Sequence, residues 1–268
     1  MAVLTNMLLK LISKWFNKPP YVRFYSLDSG ALTLFPIANS SSLKRGFMIE
    51  NQSGDNSKTL SSKNCPGIRK IVSSGWIVPA PADFKIQTNG DGFTVHWTEP
   101  FRFSKVTPNM DSYVATHAKS QSEPLIDDAN TTLKTVVKIE TPWRVEASDD
   151  VLLLIMPVTY NNENRFTAAN GVFDPKYGHV LNIQLFWKVL EGHELIRAGT
   201  PLCQIIPISR KALNVSNYDV VIDEATELDK KKETEFNYAS NCVFLSTDKI
   251  SSRIKRVTSI LNKYKMKG

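Results

Sequence analysis

Apolar and polar positions alternate most clearly between His179 and Pro207, HVLNIQLFWKVLEGHELIRAGTPLCQIIP. Leu181, Ile183, Leu185, Trp187 and Val189 alternate with Asn182, Gln184, Phe186 and Lys188. A period of two predicts a strand with one buried face. Glu191-Gly192 and Ala198-Gly199-Thr200-Pro201 carry turn chemistry. A second short strand and then Leu202–Ile208 are therefore expected to complete a three-strand meander.

The same punctuation runs through the preceding chain. YVRFYS (21–26) and ALTLFPI (31–37) flank Asp28-Ser29-Gly30 and predict a hairpin, with a further short strand at Gly46–Glu50. Trp76-Ile77-Val78 predicts a strand ended by Pro79 and Pro81. Phe84–Thr88 and Phe93–Trp97 are joined by Asn89-Gly90-Asp91-Gly92, the strongest local hairpin signal. Lys134–Glu140 and Trp143–Glu146 predict strands split at Thr141-Pro142. Val151–Val158 is a continuous apolar run of the kind found in central strands, and Phe166–Phe173 predicts one more short strand. About a dozen short strands with no βαβ alternation indicate a mainly β chain. An antiparallel β-sandwich or jelly-roll-like body is expected over residues 21–208.

Helical periodicity is confined to the two ends. Leu4, Met7, Leu8, Leu11, Ile12 and Trp15 share one face of a predicted helix over 3–17, and Pro19-Pro20 stops it. Residues 1–20 thus form an amphipathic segment and a rigid break. After residue 208 the chain becomes highly charged and is expected to form a helical extension over 209–268. Ser246-Thr247-Asp248 can cap a last helix carrying Ile250, Ile254, Val257, Leu261 and Tyr264. Lys249, Arg253, Lys255, Arg256 and Lys263 cover much of the rest of that helix.

The net charge of +7 is unevenly placed. Lys10, Lys14 and Lys18 give residues 1–20 a charge of +3, and residues 209–268 carry 12 basic against 8 acidic side chains. Residues 21–208 balance at 18 basic and 18 acidic. A nucleic-acid-binding core would hold its basic excess within the fold. Any acidic partner, membrane surface or nucleic acid is therefore expected to act at the ends. The six apolar residues of the first helix are the candidate protein-docking face. Lys249, Arg253, Lys255, Arg256 and Lys263 are the candidate contacts for an acidic partner or nucleic acid.

Candidate chemistry is sparse. Cys65, Cys203 and Cys242 are odd in number, far apart and without CxxC spacing, so reduced structural thiols are expected and no disulfide or zinc site. The histidines are His96, His117, His179 and His193. Neither His96 with Glu99 nor His193-Glu194, which falls in an expected turn, has the spacing of a cupin-type or non-haem iron site. There is no G-x-S-x-G nucleophile elbow and no phosphate-binding glycine loop. Asp127-Asp128 and Asp149-Asp150 read as solvated turn acids, because adjacent strand positions face opposite ways. Trp76, Trp97, Trp143 and Trp187 fall on predicted strands and read as core. No catalytic residue, metal ligand or cofactor is assigned. The first apolar run has no basic residue before it and no small-residue cleavage site after it, so secretion is not expected. No stretch reaches the ~18 apolar residues of a membrane span.

FYSLDSGALTLFPI, CPGIRKIVSSGWIVPAPADFKI and LIRAGTPLCQIIPISRK together resemble an uncharacterised β-rich protein family encoded by tailed, especially marine, bacteriophages and by some bacteria. The resemblance covers about 22–211 and is a pattern of apolar motifs, so it implies a phage setting but no catalytic residue. The G-x-P-x-x-Q-x-x-P strand at Gly199–Pro207 also looks like the closing hairpin of dUTPase-type β barrels, whose nucleotide-binding motifs are missing here. The reading is a non-enzymatic structural or protein-interaction protein of a tailed phage, in the host cytoplasm or the virion. Its partners would be virion proteins or further copies of itself, docked through the terminal helices. The alternative is a jelly-roll enzyme, with or without a metal, acting on a small molecule or host protein.

Overall fold

The alternation at 180–187 is realised as strand β11 (Val180–Trp187), in which Leu181, Ile183, Leu185 and Trp187 are fully buried. The computed structural model describes residues 19–28, 30–49, 65–99, 112–117, 119–126, 128, 130–241, 252 and 254–259. Leu4, Met7, Leu8, Leu11, Ile12 and Trp15 lie outside them, as do Lys249, Arg253 and Lys263. The described residues fall into two compact units, divided between Val215 and Ser216.

The first unit is an antiparallel β body of three sheets. Sheet one is ordered β1 (Val22–Ser26), β7 (Val137–Ala147), β11 and β9 (Phe166–Ala168). β6 (Val114–Thr116) pairs with residues 137–139 of β7, and β1 with residues 143–147. Because β11 spans both stretches, β1 and β6 share the other edge of β7. Sheet two is ordered β10 (Gly171–Phe173), β8 (Val151–Met156), β13 (Pro201–Ser209), β3 (Trp76–Pro79) and β2 (Ala38–Asn39). Sheet three is β12 (Glu191–Ile196), β4 (Phe84–Asn89) and β5 (Val95–Thr98). One apolar cluster draws on all three, including Ile139, Ile183 and Trp187 from sheet one, Leu153 and Ile205 from sheet two, and Phe84, Ile86 and Ile196 from sheet three.

Several expectations are corrected. The three strands of 180–208 do not form a meander, for each joins a different sheet: β11 pairs with β7 and β9, β12 with β4, and β13 with β3 and β8. Their connections turn corners around a common core instead of closing hairpins. Residues 166–173 likewise split into β9 and β10, in different sheets. Thr141-Pro142 does not divide β7. Pro142 lies where the register of β11 shifts, between Val180 opposite Arg144 and Asn182 opposite Glu140, so its missing N–H costs no regular ladder bond. The Thr141 hydroxyl donates to the Leu181 carbonyl at 2.5 Å across this irregularity.

Two expected strands are helical turns, Ala31–Leu34 and Gly46–Ile49. In the first, the amides of Thr33 and Leu34 both reach the Gly30 carbonyl, and Leu32 and Leu34 stay exposed. A short apolar run cannot distinguish a single turn from a strand. Pro66–Val72, for which no element is expected, is a helix with Pro66 in its first turn, where a missing N–H is harmless. Of the four strand tryptophans, Trp143 and Trp187 are buried, Trp76 packs against the core half-buried, and Trp97 is exposed.

β13 is covered on both faces. Cys203 and Ile205 join the core, while the fully buried Gln204 points the other way. Its amide nitrogen donates at 2.8 Å to the carbonyls of Ile71 and Ser74, at the end of the Pro66–Val72 helix. Its oxygen accepts from the Thr159 hydroxyl at 2.9 Å. Gly75 has φ +69°, and a Cβ there would lie 1.8 Å from the Ile205 carbonyl oxygen, so only glycine lets β3 begin this close to β13. Gln204→Leu should therefore leave two carbonyls and a hydroxyl without their partner at the covered face of β13, at a cost of about 2–4 kcal/mol. Thermal unfolding should show a Tm lower by roughly 5–10 °C.

The end of β13 is fixed by charge. Arg210 grips Asp174 with both terminal nitrogens, at 2.7 and 2.9 Å, and its amide donates to the Asp150 carbonyl. The Arg210 guanidinium is the main cause holding the Asp174 carboxyl below its ordinary 3.8. A depressed folded value adds stability above the unfolded pKa, and that stability is lost as pH falls through the folded value. Arg210→Ala should thus be less stable than wild type near about pH 6, and the gap should close below about pH 3.8, as urea titrations over a pH series would show.

Candidate functional site

Burial pushes the Cys203 thiol far above its ordinary value, so it stays protonated and unreactive within β13. Cys65 caps the Pro66–Val72 helix half-buried, and Cys242 lies outside the described residues. Among the described residues no three His, Cys, Asp or Glu side chains come together as a metal-holding group. Asp149 meets the Lys176 ammonium at 3.3 Å, and Asp150 accepts from the Ser209 hydroxyl at 2.7 Å.

The histidines are arranged in a way the spacing did not show. His193 is on strand β12 and not in a turn. It stands opposite Gln87 of β4, whose other neighbour is His96 of β5. His96, Gln87 and His193 thus form one exposed row across sheet three, assembled from residues about 100 apart in sequence, and only strand register brings them together. His117 lies elsewhere, half-buried, with Gln121, Gln184 and Phe186 around a cleft of about 450 Å³.

The second unit offers a different surface. After β13, 3-10 turns at Arg210–Leu213 and Val215–Asn217 lead into residues 218–226, which belong to no helix or strand. Within them Val220, Val221 and Ile222 are 69%, 72% and 93% exposed. Three consecutive apolar side chains held in water are unusual, since folding normally hides such a run. The backbone groups of 219–225 make no hydrogen bond among the described residues. Asp219, Asp223 and Glu224 flank the apolar trio.

A helix, Glu227–Asn241, follows at once. Thr226 caps it: the Asp229 carboxylate accepts from the Thr226 amide at 3.0 Å and hydroxyl at 2.6 Å, and the Asp229 amide returns a bond to that hydroxyl. These bonds hold the Asp229 carboxyl below its ordinary value. The cap starts the helix just after the exposed trio and keeps that trio out of it. Lys230 with Glu227 and Lys232 with Asp229 form exposed i,i+3 pairs. Of the expected basic contacts, Lys255 and Arg256 are described: both are exposed on the helical stretch 254–259, beside the buried Val257. In the same unit the Thr258 hydroxyl donates to Glu235 at 3.3 Å. No described helix is long and apolar enough to cross a membrane.

Comparison with known proteins adds little. No family model matches the chain, and no curated protein matches it. Among solved structures, a mutant dUTPase from phage phi11 of S. aureus is similar, with a TM-score of 0.34 and 9% identity, over 78% of this chain and 99% of that one. At that level no residue, ligand or activity transfers to this chain.

The two described thiols differ in access, Cys65 half-buried and Cys203 buried. Alkylation of the native protein with iodoacetamide, read by peptide mass spectrometry, should label Cys65 and leave Cys203 unmodified until denaturant is added.

Proposed function

We propose that this chain is a non-enzymatic protein-interaction protein of a tailed bacteriophage, and in the most specific form of this reading a structural component of the virion. The observation that carries the interaction role is the exposed Val220-Val221-Ile222 segment, whose backbone groups make no hydrogen bond among the described residues. A segment with open N–H and C=O groups and apolar side chains is suited to adding a strand to a partner's sheet edge. Main-chain bonds would supply affinity there, and pockets for alternate side chains would supply specificity. The phage setting rests on the motif resemblance over about 22–211. The face Leu4, Met7, Leu8, Leu11, Ile12 and Trp15 is the second docking element of this reading. Lys255 and Arg256 supply exposed charge for acidic partner groups, ahead of nucleic acid or membrane. The partner is another virion protein or a further copy of the chain.

The alternative is a jelly-roll enzyme. The exposed row His96, Gln87 and His193 gives it a place to look, though no acidic side chain stands in that row.

The test uses particles of the encoding phage. Quantitative mass spectrometry should find the wild-type chain at a fixed copy number per particle. A chain carrying Val220→Ser, Val221→Ser and Ile222→Ser should fall at least about tenfold in the particle while its Tm is unchanged, since the replaced side chains are already in water. Absence of the wild-type chain from particles overturns the virion role. Undiminished incorporation of the triple variant overturns the docking role of the segment. Stoichiometric iron, manganese or zinc in purified protein would favour the enzyme instead.

A further inference from the structure

A cleft of about 520 Å³ opens between Arg45 and the Pro66–Val72 helix, independent of the docking segment. Arg45, Arg69 and Lys70 line it with Met48, Pro66 and Val72, and no acidic side chain does. Arg45 is only 2% exposed, yet its acceptors are all neutral. They are the Thr159 carbonyl at 2.8 Å from Nε, the Ser40 and Leu43 carbonyls at 3.0 and 3.5 Å from Nη1, and the Ser40 hydroxyl at 3.1 Å from Nη2. Burial pushes this guanidinium below its ordinary value, with no opposing carboxylate to restore it. Arg69 and Lys70 are exposed on the cleft wall. None of the three cations enters an ion pair among the described residues.

A bland account covers part of this. Arg69 and Lys70 sit in the last turn of a helix, where cations are favourable. It does not explain why a buried arginine from a separate loop lines the same cleft. Taking a cation out of water with only neutral acceptors is costly, and a bound anion offsets that cost. In a body whose 18 basic and 18 acidic side chains balance, three cations that meet at one cleft with no ion pair among the described residues form a local positive field.

We infer that this cleft binds a small phosphomonoester. The exposed Arg69 fork matches phosphate oxygens, Lys70 adds a point charge, and the buried Arg45 adds positive charge behind the cleft wall, so a dianion suits the site better than a monoanion. Met48, Pro66 and Val72 form an apolar wall for the organic group.

The test is calorimetric titration of the full chain at constant ionic strength with phenyl phosphate, inorganic phosphate and benzoate. Phenyl phosphate should bind saturably with a Kd of about 1 mM or less, inorganic phosphate more weakly, and benzoate should not saturate. Arg69→Gln with Lys70→Gln should weaken phenyl phosphate by at least about tenfold. Both side chains are exposed, so the variant should keep the wild-type Tm. Should that Tm fall, Arg69→Gln alone gives the same comparison, with a smaller loss. No saturable phenyl phosphate binding up to about 10 mM, undiminished binding by the variants, or benzoate binding as tight as phenyl phosphate would each overturn the inference.

Discussion

A strand buried on both faces must find a partner for every polar side chain it carries, and β13 meets that demand at Gln204. One face of β13 feeds the common core through Cys203 and Ile205. On the other, the Gln204 amide gathers three separate pieces of chain: the Ile71 carbonyl of the Pro66–Val72 helix, the Ser74 carbonyl ahead of β3, and the Thr159 hydroxyl after β8. Arg45 extends the same solution. It reaches the Thr159 carbonyl and Ser40, whose hydroxyl donates to the Val72 carbonyl at 2.9 Å. The carbonyls left open where the helix ends are thus closed by buried side chains from β13 and from the turn at Ser40. Remove this network and the helix has no fixed place on sheet two. Gly75 sets the same requirement sterically, because it lets β3 approach the Ile205 carbonyl.

What the sequence shows well is local and periodic. The alternation in β11, the central apolar run of β8 and the Asn89–Gly92 hairpin all appear as their patterns predict. In that hairpin the Asp91 carboxylate accepts from the Phe93 and Thr94 amides at 2.7 Å, the usual work of a turn aspartate. What the sequence shows poorly is pairing. Strands β11, β12 and β13 follow one another with turns between, yet belong to three sheets, because short connections can turn a corner as readily as close a hairpin. Pro142 read as a breaker because a proline's cost depends on whether its partner strand needs the N–H, and that depends on a bulge in β11. The Ala31–Leu34 turn has the apolar content of a strand, and only its bonds to Gly30 separate the two.

The candidate sites follow the same division. The Val220–Ile222 segment is visible as an apolar run, but in sequence it cannot be told from a buried strand. Its exposure identifies it, and the Thr226 cap explains why the helix starts beyond it. The histidine row and the cationic cleft could not have been read from spacing. His96 and His193 are brought together through Gln87, and Arg45 lines one cleft with Arg69 and Lys70, about 24 residues further along the chain.

Charge bookkeeping along the chain also needs geometry before it means anything. Residues 21–208 balance at 18 basic and 18 acidic, which from sequence argues against an anion site in the body. The balance is made of particular pairs. Arg23 with Glu146, Lys138 with Glu140, Arg165 with Glu163 and Lys176 with Asp149 cancel where they touch, and Glu99 spends its charge on the amides of Tyr113 and Val114. Those acids are committed to strands and loops other than the cleft wall. A domain can therefore be neutral as a whole and still leave Arg45, Arg69 and Lys70 without a counter-charge among the described residues, because Coulomb attraction across a solvated surface fades within about 10 Å. The potential a ligand meets is set by the nearest few side chains, and the charged ones among the described residues lining this cleft are all positive.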